Sequence, residues 1–228
     1  MLKYTNEIIK SFFMPFADQL KFLAIHGSYV YKSHTNPKDI DIIAVFDNIN
    51  SEIIDLVKEI HNKHRVIHII PYSEKEIEVF PSHNTMQFFM FADVILGSIK
   101  MEPPKRSDLI YHLKIRLSDN IIIKGRNAFL SRGRNNINSI IKVLPEIQKD
   151  IYWWWRNFFY ISHNKIIVDN NELSRKISHQ TVKQFLLYRL EEFPGQEYRI
   201  MQELEECISC MVDSLKELES SHNDKTNK

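Results

Sequence analysis

Two aspartates separated by a single residue, Asp39 and Asp41, stand at the start of an apolar run in the segment IHGSYVYKSHTNPKDIDIIAV, residues 25–45. Side chains alternate along a strand with a period of two, so carboxylates at this spacing point to the same face. Two charges held that close repel unless a cation lies between them. An all-oxygen pair suits a hard ion such as Mg²⁺, which also holds substrate phosphates. The spacing therefore predicts a magnesium site on a strand.

A Gly-Ser pair, Gly27 and Ser28, precedes the aspartates in the same segment. A strand that ends in Gly-Ser and passes into a helical turn presents backbone N–H groups and a hydroxyl at a helix N-terminus, where phosphate binds well. Glycine also lets a phosphate approach the backbone closely. Residues 29–38 are about the length of one or two helical turns plus a loop through Asn36-Pro37, so the two motifs can face each other across one cleft.

An apolar strand, Gly-Ser, a short connection and then Asp-apolar-Asp-apolar together resemble the signature of the polymerase-β-type nucleotidyltransferase superfamily. The segment DLIYHLKIRLSDNIIIKGRNAF is loosely similar to the link between the two domains of streptomycin/spectinomycin-type antibiotic adenylyltransferases. The resemblance implies that Gly27 and Ser28 grip a nucleoside triphosphate and that Asp39 and Asp41 bind Mg²⁺. It further implies transfer of a nucleoside monophosphate, AMP from ATP, to an acceptor hydroxyl with release of pyrophosphate.

The resemblance also implies a third carboxylate on a later strand beside the aspartate pair, and here the strand RVIHIIP has His68 at that place. A histidine can act as general base near neutral pH, since its unperturbed pKa is about 6.5. The alternative is a hydrogen-bonded core residue. Glu74, Glu76 or Glu78 could replace the carboxylate, although Ser73 and Glu76 also match a helix capping box. If none of these acts as base, the protein binds nucleotide without turning it over.

The elements around these motifs follow from apolar periodicity. The first ~70 residues are expected to run helix, strand, helical turn, strand, helix, strand, with the last strand ended by Pro71. From SEKEIEVF onward the chain is expected to be mainly helical, except that DNIIIKGRN predicts a short strand or extended segment ending at Gly125. The fold class is therefore α+β: an α/β nucleotidyltransferase domain with a short mixed sheet (1–103), a helical, bundle-like domain (104–220) and a polar tail (221–228).

Composition limits the partners. The chain of 228 residues has 30 Lys and Arg against 29 Asp and Glu, so attraction to nucleic acid would need a local patch. No run of about 18 apolar residues predicts a membrane span, and the N-terminus lacks the uninterrupted apolar stretch of a signal peptide, so a cytoplasmic location is expected. The two cysteines, Cys207 and Cys210, lie on one helix face as ordinary half-buried thiols, because a structural zinc would need two further ligands.

Two other stretches are unusual. Three adjacent indoles in YWWWRNFFYISH, Trp153 to Trp155, cannot share one helix face, which predicts that at least one lies at a domain interface, a dimer interface or an acceptor pocket. Basic residues cluster in KGRNAFLSRGRNN. This segment is expected to be either a solvated connection or a loop that contacts triphosphate or RNA. The basic residues are Lys124, Arg126, Arg132 and Arg134.

The acceptor is expected to be a small molecule such as an aminoglycoside, because the additional helices suit a small-molecule pocket. Two alternatives remain open. One is AMP transfer to a protein or RNA, as in AMP-transferring antitoxins, and the other is a nucleotide-binding protein without catalysis. The sequence leaves the nucleotide preference and the oligomeric state open, a homodimer included.

Overall fold

The computed structural model describes residues 4–31, 39–85, 91–100, 102–130, 139–187 and 196–226. Its contacts divide the chain into two compact units, Met1–Lys105 and Arg106–Lys228. Within the described ranges, no helix is both long enough and apolar enough to cross a membrane.

The N-terminal unit is built on a four-stranded sheet with the strand order β3-β2-β1-β4. Strand β1 runs antiparallel to β2 and β4, whereas β2 and β3 are parallel, so the sheet is mixed, as predicted. The strands are β1 Leu20–His26, β2 Ile40–Phe46, β3 Ile67–Ser73 and β4 Asp93–Gly97. The helical elements are α1 Asn6–Phe12, a 3₁₀ turn Met14–Phe16, α2 Ser28–Tyr31, α3 Ser51–Lys63, α4 Glu74–Glu78 and α5 Ser82–Thr85.

The element order predicted for the first ~70 residues is confirmed: α1, β1, α2, β2, α3, β3. The prediction of a mainly helical chain after that point was wrong at β4. This five-residue strand adds to β1, and its apolar run is too short for periodicity to distinguish strand from helix.

The two faces of the sheet are covered differently. On one face, Ile42 and Ala44 of β2 pack in a cluster with Ile9 of α1 and with Ile53 and Val57 of α3. On the other face, Phe22, Ala24, Ile43 and Val45 pack with Ile77 of α4. Because side chains alternate along a strand, Asp39 and Asp41 belong to the same face as Ile43 and Val45, away from α1 and α3.

Pro71 lies inside β3, which continues to Ser73, so the prediction that proline ends this strand was wrong. Strand β3 is an edge of the sheet. The N–H of Ile69 points away from β2, toward the His61 side chain, and the nitrogen of Pro71, two residues on, shares that direction. The missing N–H of proline therefore removes no bond to β2, which is the condition under which proline is tolerated in sheets.

The described part of the C-terminal unit is helical, in agreement with the predicted fold class. Its helices are α6 Arg106–Ile115, a π-helix Arg116–Ile123, α7 Lys124–Leu130, α8 Ser139–His163, α9 Asn170–Lys176, α10 Gln180–Leu187 and α11 Glu197–Thr226. Helix α11 continues to Thr226, into the segment predicted to be a polar tail.

The prediction that the segment DNIIIKGRN is a short strand or extended segment was wrong. The segment spans the π-helix and the start of α7. Its β-branched isoleucines favour a strand locally, but Leu117, Ile121 and Gly125 recur at intervals of four residues and are buried. A Cβ built at Gly125 would lie 2.5 Å from Cδ2 of Leu204 in α11. Packing of this face therefore decided the conformation.

All three adjacent tryptophans are buried, and each has neighbours within the helical unit. The Trp154 indole donates to the Leu113 carbonyl at 3.1 Å, and the Arg116 guanidinium carbon lies 4.0 Å from the Trp153 ring centre. Trp155 contacts the Phe158 ring edge-on. The indoles point in different directions, as predicted, and all three are buried, while the place of one of them at an interface or acceptor pocket stays a prediction.

Two members of the predicted basic cluster form ion pairs inside the helical unit. Lys124 Nζ lies 3.0 Å from Glu146, and Arg126 makes a two-pronged contact with Glu205 at 2.8 and 2.7 Å. Both belong to α7, not to a loop. Arg132 and Arg134 lie outside the described residues.

Candidate active site

Gly27 and Asp41 meet where β1 ends. His26, the last residue of β1, is the register partner of Asp41 on β2, and Gly27 follows with a φ of +76°. A Cβ built at Gly27 would lie 2.4 Å from Oδ2 of Asp41. Only glycine leaves the space that the carboxylate occupies, and only glycine adopts this φ readily. The turn therefore places bare backbone directly against a carboxylate.

Ser28 faces the other aspartate. Its hydroxyl donates to Oδ1 of Asp39 over 3.5 Å, which is a long contact. Ser28 also begins α2, in which the Tyr31 N–H donates to the Gly27 carbonyl at 3.0 Å. The structure thus brings Gly27, Ser28, Asp39 and Asp41 together, although residues 32–38 between the two motifs lie outside the described part.

The aspartates are held by a rigid strand. Asp39 directly precedes β2 and Asp41 is its second residue, and both are half-buried. Ile40 and Ile42 point to the opposite face, where they pack in the main core cluster. Strand β2 is also paired on both sides, with β1 and with β3. The carboxylates are therefore fixed at one end of a central strand, as metal ligands need to be.

His68 is the register partner of Asp41 on β3. Paired residues on neighbouring strands point to the same face of the sheet, so His68 lies beside Asp41 on the face that carries Ile43 and Val45. His68 is exposed, which excludes the alternative that it is a core residue. The prediction that this strand neighbours the aspartate pair is confirmed.

Two further histidines belong to this region, and sequence reasoning missed both. His26, only 6% exposed, is the partner of Asp41 on β1, so Asp41 stands between two histidines across three strands. The His61 ring centre on α3 lies 6.1 Å from that of His68. Burial, with a smaller effect of His68, lowers the pKa of His61. For His26 the sequence held one signal, its place next to Gly27 in HGS. The place of His61 follows from where α3 lies, which the sequence does not state.

Two of the three glutamates that could replace the third carboxylate are placed elsewhere. Glu76 closes the capping box with Ser73, whose N–H donates to Oε2 of Glu76 at 2.7 Å. Ser73 follows His68 by five residues of strand, or about 16 Å. Glu74 is near Lys21, because it raises the pKa of Lys21, although less than Asp47 does. Lys21 lies near the start of β1, whereas His26 and the candidate site are at its other end. Glu78 is exposed on α4.

The donor atoms near Gly27 fit a hard divalent ion. The two carboxylates and the Ser28 hydroxyl are all oxygen donors, which suit Mg²⁺. Among the residues that the structure describes, no three His, Cys, Asp or Glu side chains form a group that could hold a metal ion by themselves. A pair of carboxylates whose remaining ligands are water and substrate phosphates is the usual form of a Mg²⁺ site.

A mixed sheet followed by a helical unit has a counterpart among solved structures. The chain is similar to the crystal structure of spectinomycin adenyltransferase AAD(9) from Enterococcus faecialis with ATP and spectinomycin. That match has a TM-score of 0.54 at 12% identity and covers 91% of this chain and 96% of the other. It confirms, at the level of the fold, the resemblance seen in the sequence.

Weaker likenesses were found to two toxin–antitoxin structures. The MntA-HpeT toxin–antitoxin has 12% identity and a TM-score of 0.31, and a toxin–antitoxin with AMP-PNP has 13% identity and a TM-score of 0.33. Each match covers 56% of this chain and 96% of the other, and at these scores neither decides anything about this protein. No protein-family model and no curated protein matches the sequence.

Proposed function

We propose that this protein is a Mg²⁺-dependent nucleotidyltransferase that transfers a nucleoside monophosphate, AMP from ATP, to a hydroxyl group of a small-molecule acceptor such as an aminoglycoside. One observation carries the proposal: the space that a Cβ of Gly27 would fill is occupied by Oδ2 of Asp41. A backbone turn that can approach phosphate is thereby held against a carboxylate that can hold the metal of the same nucleotide.

Each of the four residues has a defined task in this proposal. Asp39 and Asp41 would hold the ion, which when bound neutralises the phosphate oxygens and polarises the α-phosphate. Gly27 leaves its backbone open to the triphosphate, and the Ser28 hydroxyl, now directed at Asp39, adds a donor beside it. The fixed strand β2 keeps both carboxylates in place, so little reorganisation is needed when the nucleotide enters.

His68 is the proposed general base. Its exposed ring lies beside Asp41, where an acceptor hydroxyl would approach the α-phosphate. The hydroxyl oxygen forms a bond to the α-phosphorus, the bond from that phosphorus to the bridging oxygen breaks, and pyrophosphate leaves with the electron pair. The hydroxyl proton passes to His68, since a neutral imidazole can accept a proton as a general base.

The fold supports a small-molecule acceptor. The match to AAD(9), a protein solved with ATP and spectinomycin, covers 91% of this chain and therefore includes the helical unit. The ion pairs of Lys124 and Arg126 within that unit also leave these two cations less available for RNA.

A second candidate function is nucleotide binding without turnover. The observation that favours it is the histidine at the place where the family pattern has a third carboxylate, together with an exposed Glu78 as the remaining acidic alternative. Binding needs the aspartate pair and the Gly-Ser turn, whereas turnover also needs a base.

Incubation with ATP labelled at the α-phosphate, Mg²⁺ and a panel of aminoglycosides and aminocyclitols tests the proposal. Transfer of label to one acceptor, with equimolar pyrophosphate and loss of both in Asp41→Asn, is the expected result. Calorimetric Mg-ATP binding with no pyrophosphate release across the panel would instead favour the non-catalytic function. Label on a protein or RNA, and on no small molecule, would contradict the proposed acceptor class.

A further inference from the structure

The N–H groups on the outer edge of β3 can be accounted for one by one. The Ile40 N–H donates to the Val66 carbonyl at 2.7 Å, so Val66 directs its backbone toward β2. Backbone directions alternate along a strand, so the residues facing outward are Ile67, Ile69, Pro71 and Ser73. These four positions form the free edge of the sheet.

Each outward N–H on this edge has a partner. The Ile67 N–H donates to the His64 carbonyl at 2.8 Å, the Ser73 N–H donates to Glu76 at 2.7 Å, and Pro71 has no N–H. The remaining donor, the Ile69 N–H, is 2.8 Å from Nε2 of His61. The first two bonds are local to the ends of the strand. The His61 bond is made in its middle, by a side chain from α3.

This bond defines the chemical state of His61. A backbone N–H can only donate, so Nε2 of His61 must be the unprotonated acceptor and the ring proton must be on Nδ1. Burial, which disfavours the charged ring and lowers its pKa, acts in the same direction. His61 is therefore a neutral acceptor, and its ring centre lies 6.1 Å from that of His68.

Resting on the proposed function, we propose that His61 is a positioning residue that holds His68 beside Asp41 by binding the N–H of the next residue, Ile69. Among the described residues, β3 pairs with a strand on one side, and on its outer side the His61 side chain binds the backbone at the middle of the strand. A misplacement of about 1 Å at a reacting group can lower a rate about 100-fold. The aspartates lie on the central strand, so loss of His61 is expected to lower kcat and to leave KM for ATP unchanged.

Two substitutions and a matched control separate positioning from general stability. His61→Ala removes the acceptor, whereas His61→Gln keeps a carbonyl oxygen at nearly the same reach. His64→Ala is the control, because His64 lies just past the same end of α3 and contacts Tyr4 and Phe12 through its ring. Its backbone carbonyl, which binds Ile67, is unaffected by the substitution.

We expect exchange of the Ile69 amide proton to become about tenfold faster in His61→Ala, as loss of one hydrogen bond predicts, and kcat to fall about 10- to 100-fold. His61→Gln should restore both, and His64→Ala should change neither. A wild-type kcat in His61→Ala, a glutamine variant no better than alanine, or an equal loss in the His64 control would overturn the proposal. ¹⁵N spectra of the wild-type ring that show a protonated Nε2 would also overturn it, even if the variants do not fold.

Failure of the proposed function gives a different result. In that case the wild type releases no pyrophosphate, and the role of His61 is decided by exchange at Ile69 and by the ring resonances of His68. Shifts of both in His61→Ala that are reversed in His61→Gln would support the positioning role. Unchanged resonances would contradict it.

Discussion

Gly27 and Asp41 approach each other so closely that any side chain at position 27 would overlap the carboxylate, since a Cβ there would lie 2.4 Å from Oδ2. The relationship joins the two motifs that stand out in the sequence, the Gly-Ser turn and the Asp-x-Asp strand. The φ of +76° is a second reason for glycine at position 27, because residues with a Cβ rarely adopt this conformation.

Gly27→Ala is therefore expected to lower stability by about 1–3 kcal/mol and to lower transfer per folded molecule, because Asp41 must move. Thermal unfolding and turnover should be measured on the same preparation. Gly125→Ala is the control, since its Cβ would also meet a side chain, that of Leu204, but in the helical unit. That variant should lose stability without losing transfer per folded molecule. A Gly27→Ala protein with wild-type turnover would show that the close approach has no role in activity.

Asp39→Asn and Asp41→Asn should each lower turnover by orders of magnitude and abolish Mg²⁺-dependent binding of ATP, because each removes a ligand charge while keeping the shape. Stability should be unchanged or slightly higher, since repulsion between the carboxylates is relieved. Calorimetry with and without Mg²⁺, together with thermal unfolding, measures both. Asp93→Asn, an exposed carboxylate on β4, is the control. Unfolding of the Asp39 and Asp41 variants would mean that the pair is structural.

His68→Ala should lower kcat about 10²- to 10⁴-fold with little change in ATP affinity, as expected for loss of a general base. Because His68 is exposed, its thermal stability should be close to that of the wild type. His68→Glu restores the carboxylate of the family pattern and should keep or regain turnover. If His68→Glu is folded but inactive while Glu78→Gln abolishes turnover, Glu78 is the base instead.

The alternation of Asp39, Asp41, Ile43 and Val45 was enough to predict that the aspartates share a face, and the family resemblance led to the prediction that β3 is their neighbour. Predictions from local sequence patterns were wrong where contacts between residues distant in the sequence determine the secondary structure. Ile121 to Ile123 have strand propensity, but the segment is a π-helix because Leu117, Ile121 and Gly125 are buried within the helical unit. The positions of His26 next to Asp41 and of His61 next to His68 depend on strand register and on where α3 lies, neither of which the sequence states.

Acidification should destabilise the protein through His61. Its pKa is lowered in the folded state from the ordinary value of 6.5, mainly by burial. The unfolded chain then binds more protons than the folded protein, so the contribution of His61 is fully present above pH ~6.5 and is lost as pH falls through the lowered folded pKa. Urea unfolding across this range should show a shallower pH dependence in His61→Gln than in the wild type. Identical dependence in the two proteins would exclude a contribution from His61.

A crystal structure of the protein with Mg²⁺ and a non-hydrolysable ATP analogue is the decisive experiment for the proposed site. We expect a metal ion held by Asp39 and Asp41, triphosphate oxygens against the backbone of Gly27 and the hydroxyl of Ser28, and the His68 ring facing the α-phosphate. A nucleotide bound elsewhere, or bound here with no metal on either aspartate, would contradict it.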